Sequence, residues 1–169
     1  MAVPRLVSFT YLQATVTNPA TGVTLLPGKA NILIEQTFVG TSRLENIAPA
    51  QNFTLNLGID EGWKIDRNLV QRQVDKKLIG SSRRVTYAYR IVVNNLLTTQ
   101  ASLKLTEQLP VSQDERIRVR LTQSEPKIKL GEMGVLEWAI ALAGGEQQAI
   151  EYQFTLEYPP EIEIIGLDI

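Results

Sequence analysis

The most distinctive chemical pattern in this 169-residue chain is the run RIRVRL at residues 116–121, in which every second residue is an arginine. Successive side chains of a β-strand point to opposite faces, so this spacing predicts three guanidinium groups on one face, about 6.5–7 Å apart. A one-residue shift in strand register would bury three charges in place of three aliphatic side chains. Because burying unpaired charges is costly, the opposite orientation is strongly favoured. We therefore expect Arg116, Arg118 and Arg120 to face solvent and Ile117, Val119 and Leu121 to face the core.

This arginine row has two interpretations. The planar guanidinium group matches carboxylates and phosphates, so the row could dock an acidic partner or a polyanion. Charged strand faces also keep an edge strand solvated and unpaired, and Glu115, Glu125 and Glu132 lie close enough in sequence to neutralise part of the row. The solvated face is the simpler interpretation, and the docking surface is the hypothesis that needs a test.

Three further residues extend this candidate surface. Lys127 and Lys129 alternate in the next run, KIKL at 127–130, and five cations would share one sheet face if the two runs paired. Trp63 follows an acidic turn and lies beside Lys64 and Arg67 in sequence. An exposed indole there would form a recognition patch, whereas packing in the core is the alternative.

The composition argues against most enzyme and metal chemistry. The chain has no histidine and no cysteine, which removes the usual general base, thiolate zinc sites, disulfides and a cysteine nucleophile. No phosphate-loop, EF-hand or serine-hydrolase motif is present. We expect no catalytic residue, no metal and no cofactor. The alternative is a hydrolase or carbohydrate-active enzyme that uses surface carboxylates, with pairs available at Asp60-Glu61, Asp114-Glu115 and Glu161/Glu163.

The overall charge and hydropathy limit the classes of partner. A formal net charge of −1 gives no global field toward nucleic acid, so we expect no nucleic-acid partner. No apolar run approaches about 18 residues, so we expect no membrane insertion. The start, MAVPRLVSF, lacks the pattern of a signal peptide, and the chain could be a fragment, so its localisation stays unknown.

Two long alternating runs predict the elements that position these side chains. VLEWAIAL at 135–142 and QAIEYQFTLEY at 148–158 each place apolar residues at every second position. The intervening AGGE predicts a tight turn, so we expect residues 135–158 to form one long antiparallel hairpin. On this pattern Trp138 is buried against Tyr87, Tyr89 or Phe154.

The remaining runs predict an all-β fold. Strands are indicated at VTYAYRIVV, SLKLTEQL, FTYLQATV, NILIEQTFV and FTLNLGI, with turn residues at the spacing of a sandwich. Residues 66–79 have partly helical spacing, although their alternation favours a strand. We expect residues 81–169 to form an immunoglobulin-like antiparallel β-sandwich. Residues 1–80 would form an N-terminal β-rich subdomain or second layer, joined to the sandwich through Gly80-Ser81-Ser82.

The order of several short motifs resembles one bacterial family. They are Leu26-Pro27-Gly28, Phe38-Val39-Gly40, Asn94-Asn95, the turn from Gln108 to Ser112, and the run from Gly134 to Trp138. Together they resemble the C-terminal domain of unknown function in proteins named mucoidy inhibitor A. Members of that family usually carry an N-terminal domain and a coiled-coil-like stretch before this region, which are missing here. The family name implies an exopolysaccharide phenotype and brings no catalytic residues.

These observations predict a non-catalytic interaction or structural module. Its partner would be another protein or another part of its own full-length chain. Edge strands of the predicted sandwich also offer a route to a homo-oligomer.

Overall fold

The computed structural model describes residues 1–6, 8–34, 36–75 and 82–165. Within them the chain forms ten strands and one short 3-10 turn, Glu132–Gly134, so the predicted all-β class is confirmed. No helix in the described part of the chain could span a membrane. The strands are β1 Thr10–Thr17, β2 Gly28–Ile34, β3 Thr37–Leu44, β4 Asn52–Asp60, β5 Trp63–Asp75, β6 Arg83–Asn95, β7 Ala101–Gln108, β8 Arg118–Glu125, β9 Val135–Leu142 and β10 Gln147–Tyr158.

The chain divides into two compact units. The N-terminal unit comprises Met1 and Thr10–Glu61, and the sandwich unit comprises Ala2–Phe9 and the chain from Gly62 onward. In the N-terminal unit β1 pairs with β4 and β2 pairs with β3, both antiparallel. The prediction of a single strand over residues 31–39 is wrong. Gln36 takes a φ of 70°, and the chain reverses there to form the β2–β3 hairpin.

The sandwich unit has a four-stranded antiparallel sheet, ordered β5-β6-β10-β8, and a two-stranded sheet, β7-β9. Alternate residues of each strand enter one hydrophobic core between the two sheets. Ala2 adds a parallel bridge to Leu105 on the outer side of β7. The strand interpretation of residues 66–79 is confirmed as far as Asp75, and β5 pairs with β6. Residues 76–81, which include most of the predicted Gly80-Ser81-Ser82 joint, lie outside the described residues.

The prediction that residues 135–158 form one hairpin is wrong. β9 pairs with β7, whereas β10 pairs with β6 and β8, so the two runs lie in different sheets. Between β9 and β10 the chain therefore crosses from one sheet to the other. The side chain of the fully buried Asn95 stabilises this crossing, because its Nδ2 donates to the carbonyl oxygens of Leu142 at 3.1 Å and Ala143 at 3.0 Å. A Cβ on Gly144 would lie 2.3 Å from the Thr98 carbonyl, so the crossing requires a glycine there.

Trp138 is buried, as its alternation predicts, with 5% of its surface exposed. Its aromatic neighbour is Tyr152, at a centroid distance of 6.1 Å, and not one of the three rings expected. The difference follows from the crossing, because β9 faces β10 across the core. Tyr87 and Tyr89 instead stack with Phe154 and Tyr152, their neighbours in the sheet.

Candidate functional site

Two of the three predicted arginines lie on an exposed edge strand. β8 is the last strand of the four-stranded sheet, and the side chains of Arg118 and Arg120 on it are exposed. Val119 and Leu121 are half-buried and pack against the core, which confirms the predicted orientation. Among the described residues neither arginine forms an ion pair.

The register explains why Arg118 has no acidic partner among the residues that the structure describes. Glu157 of β10 lies opposite Arg118 of β8 on one side and Arg84 of β6 on the other. Its carboxylate accepts hydrogen bonds from Arg84, with Nη2 at 2.5 Å and Nε at 2.7 Å. Arg120 lies opposite Thr155, which carries no charge. The row therefore keeps two guanidinium groups that are not neutralised by a neighbouring strand.

Arg116 does not belong to this strand, which corrects the prediction of a row of three. The strand begins at Arg118, and Arg116 lies in the turn before it. Its guanidinium donates to both carboxylate oxygens of Asp114, with Nε at 3.0 Å and Nη2 at 2.7 Å. These side-chain hydrogen bonds, with one from the Arg116 backbone N–H, lower the pKa of Asp114 to about 2. The charge of Arg116 is therefore neutralised locally.

Lys127 and Lys129 do not join the arginines on a shared sheet face, so that prediction is also wrong. KIKL forms no strand, because the chain leaves β8 at Pro126. Ile128 packs against the core, while both lysines are exposed. The strand that pairs with β8 is β10.

Trp63 belongs to the core. Only 6% of its surface is exposed, and it joins the hydrophobic cluster of the sandwich unit. Lys64, its neighbour in sequence, pairs with Asp66 at 3.5 Å. An exposed indole patch therefore does not form, and the packing alternative is correct.

A buried polar cluster, which sequence reasoning missed, links the two sheets. Glu107 of β7 is fully buried, and its carboxylate accepts from Arg67 Nε of β5 at 3.2 Å and from the Tyr152 hydroxyl of β10 at 2.8 Å. Arg67 Nη2 also donates to the Tyr152 hydroxyl at 3.1 Å. The guanidinium carbon lies 3.9 Å from the centroid of the Tyr89 ring, a cation–π contact. We call Arg67, Glu107, Tyr152 and Tyr89 the inter-sheet cluster.

Burial controls the protonation of the inter-sheet cluster. Burial raises the pKa of the Glu107 carboxyl, and the Arg67 charge and the Tyr152 hydrogen bond reverse only part of this rise. Burial also raises the pKa of Tyr152, so its hydroxyl keeps its proton and remains a donor. Both oxygens of the carboxylate are occupied by protein donors and none of the Glu107 side chain is exposed. The arrangement holds the two sheets together and presents no acid or base to a substrate.

One of the three acidic pairs of the sequence, Asp114-Glu115, is engaged by an arginine. In the part of the chain that the structure describes, no group of three or more acidic side chains could hold a metal ion. Asp114 is bonded to Arg116, and Glu107 is enclosed by the core. The described residues thus offer the exposed arginines of β8 as the candidate site.

The fold and this site define an all-β, antiparallel sandwich protein with a basic edge strand. The chain belongs to the family described as "Domain of unknown function (DUF4139)", whose model matches residues 5–160. It is also similar to Protein F37C4.5 of Caenorhabditis elegans, with 26% identity over 156 residues. That match covers 83% of this chain and 28% of the relative, so the chain corresponds to a minor part of the relative's length. No solved structure matches the chain.

Proposed function

We propose that this chain is a non-catalytic interaction module whose β8 edge binds an acidic segment of a partner protein or of its own longer chain. The observation that carries the proposal is the pair of exposed guanidinium groups, Arg118 and Arg120, that have no ionic partner within the described part of the chain. On the same sheet Arg84 and Arg90 form ion pairs with Glu157 and Glu151 of β10. An arginine that already has an acidic neighbour gains less from a second carboxylate, so the two β8 arginines are the preferred contacts.

The rival function is a hydrolase or carbohydrate-active enzyme. It needs two carboxylates that face one cleft at the separation of an acid and a nucleophile or base. Among the pairs Asp60-Glu61, Asp114-Glu115 and Glu161/Glu163, the Asp114 carboxylate is bonded to Arg116, and the carboxylate of Glu107, outside these pairs, is sealed in the core. These two contacts support the non-catalytic proposal over a site that uses either residue.

The finer family assignment is also a proposal. We infer that the sandwich is immunoglobulin-like and that the chain is the C-terminal domain of a bacterial protein of the mucoidy inhibitor A type. The order of the motifs from Leu26-Pro27-Gly28 to Trp138 supports this inference. The full reading frame of the gene tests it, since an N-terminal domain and a coiled-coil-like stretch should precede this region.

The docking proposal is tested by binding to poly-L-glutamate. We compare the wild-type chain with an Arg118→Gln/Arg120→Gln variant at low and moderate salt. Exposed ion pairs contribute about 0.2–1 kcal/mol each, so losing two should weaken binding roughly 2- to 30-fold. The difference between the proteins should shrink as salt screens the contacts.

The matched control is Lys64→Gln/Arg90→Gln, which removes the same charge from the same sheet and leaves the Arg84–Glu157 pair beside Arg118 in place. Its two cations are already ion-paired, so its affinity should stay closer to that of the wild type. Circular dichroism and thermal unfolding establish that all three proteins are folded. Equal binding by the wild type and the β8 variant would show that Arg118 and Arg120 do not bind the acidic ligand and only keep the strand solvated.

A further inference from the structure

A cavity of about 310 Å³ lies on the core side of the four-stranded sheet, where β6 begins and β10 ends. Its lining comes from strands β5, β6 and β10 and from residues 162–164, which follow β10. All of these residues belong to the sandwich unit. Sites for small molecules begin at roughly this volume, so the cavity is large enough for a small ligand.

Two arginines of the cavity point to the core side of the sheet. Arg72 of β5 lies directly opposite Tyr87 of β6, which is buried in the core. Directly paired residues project to the same face of a sheet, so Arg72 projects with Tyr87. Arg83 is separated from Tyr87 by an even number of positions on β6 and lies opposite Tyr158 of β10, so it projects to that face as well. Both arginine side chains line the cavity.

The described residues give an acidic partner to one core-side arginine and leave these two without one. Arg67, earlier on β5, pairs with the buried Glu107 at 3.2 Å. Within the described ranges no carboxylate lies within ion-pair distance of Arg72 or Arg83. Both side chains are exposed, so water solvates them and an entering anion can reach them.

Tyr87 positions one of the two cations. Its ring stacks on Phe154 at a centroid distance of 5.2 Å, and the guanidinium carbon of Arg72 lies 5.9 Å from the centroid of the Tyr87 ring. A side-chain hydrogen bond with Tyr87 raises the pKa of Arg72, so the guanidinium group stays charged. A guanidinium group has five N–H donors, and this contact leaves others for a ligand.

The charge of the lining is positive. Glu163 is the one carboxylate among the lining residues, against the two guanidinium groups. It is exposed and forms an ion pair with neither arginine. Its negative charge opposes the entry of an anion, so its removal should strengthen anion binding.

We propose that this cavity binds a small molecule that carries a phosphate group, with the phosphate held between Arg72 and Arg83. The guanidinium fork matches phosphate oxygens, and a phosphate has enough oxygens to accept from both arginines at once. A carboxylate has fewer oxygens and a smaller charge, so it is the weaker ligand. The side chains of Leu156, Ile162 and Ile164 also line the cavity, so the remainder of the ligand is partly apolar.

Three probes separate the contributions of the phosphate and of the apolar lining. Isothermal titration calorimetry of the wild-type chain compares phenyl phosphate, inorganic phosphate and benzoate. Phenyl phosphate should bind more tightly than inorganic phosphate, because its ring contacts the apolar side chains. It should also bind more tightly than benzoate, which carries the same ring on a carboxylate. Benzoate binding as tight as that of phenyl phosphate would overturn the assignment to phosphate.

Single substitutions locate the site. Arg72→Gln and Arg83→Gln should each weaken phenyl phosphate binding roughly fivefold, the upper range for one exposed ionic contact. The matched control is Arg90→Gln, which removes the same charge from the solvent face of β6, where Arg90 pairs with Glu151. This control should bind like the wild type. Glu163→Gln should bind more tightly, and thermal unfolding establishes that each variant is folded.

The result that would overturn the proposal is an absence of saturable phenyl phosphate binding by the wild-type chain. Weakening by Arg90→Gln as strong as that by Arg72→Gln and Arg83→Gln would also overturn it. The variant Arg118→Gln/Arg120→Gln should bind phenyl phosphate like the wild type, because its substitutions lie on the solvent face of β8. This site is therefore tested separately from the β8 edge, whose assay uses poly-L-glutamate.

Discussion

Replacing Arg67 by methionine should destabilise the sandwich unit strongly near neutral pH and much less at acidic pH. The substitution keeps an unbranched side chain but removes the cation that faces Glu107 at 3.2 Å. Glu107 is fully buried and would retain only the Tyr152 hydroxyl as a donor. Breaking a buried ion pair by removing one partner typically costs about 3–5 kcal/mol.

Protonation of Glu107 limits this loss and makes it depend on pH. The burial that raises the pKa of Glu107 acts more strongly once Arg67 is gone, so the folded variant binds a proton that the unfolded chain releases. While Glu107 is protonated in the folded variant and ionised in the wild type, this loss grows with pH by up to about 1.4 kcal/mol per pH unit. The stability of Arg67→Met relative to wild type should therefore fall as pH rises through this window.

Urea unfolding at pH 7.5 and pH 5.5, followed by tryptophan fluorescence, measures the effect. Both tryptophans, Trp63 and Trp138, are buried in the sandwich unit, so the signal reports the unit that contains the substitution. We expect a loss of about 3–5 kcal/mol at pH 7.5 and a clearly smaller loss at pH 5.5. The control is Arg67→Met/Glu107→Gln, whose loss should not rise with pH because it has no carboxyl group at position 107. A loss below about 1 kcal/mol at pH 7.5, or an equal loss at both, would refute the reasoning.

Three further predictions address the core, the arginine edge and metal binding. Trp138→Ala should cost about 3–5 kcal/mol in urea unfolding, because it empties a site against Tyr152; a cost under about 1 kcal/mol would contradict the burial of the indole. Asp114→Asn should raise the affinity for poly-L-glutamate, because it frees Arg116 from its carboxylate, and unchanged affinity would show that Arg116 lies out of reach of the ligand. Calorimetry with zinc should detect no tight stoichiometric binding, since the chain lacks histidine and cysteine; a sub-micromolar site would overturn that expectation.

Most of the strands were predictable from the sequence, but their partners were not. A period of two shows which side chains of 135–142 and 148–158 are buried, and the structure buries those side chains. The same period is satisfied whether two runs pair side by side or face each other across a core. The choice between a hairpin and a crossing depends on the contacts of Asn95 with Leu142 and Ala143, which are distant in sequence.

The candidate site was predictable only in part, for related reasons. Alternation places Arg118 and Arg120 outside, but it cannot show that the strand begins at Arg118 or that Asp114 binds Arg116. Alternation also continues from Leu103 and Leu105 to Glu107, so an inward carboxylate was a signal in the sequence. Its partner Arg67 is 40 residues away, and only the packed sheets bring the two together.

The two ends of the four-stranded sheet carry charge in different ways, and this difference supports the choice of β8 as the candidate site. At one end of the four-stranded sheet, Arg67 of β5 points into the core, where it needs and has an acidic partner. At the other end, Arg118 and Arg120 of β8 point into solvent, where water satisfies them and a partner is optional. An exposed charge can therefore be kept for binding without a cost to the fold, whereas a buried charge cannot.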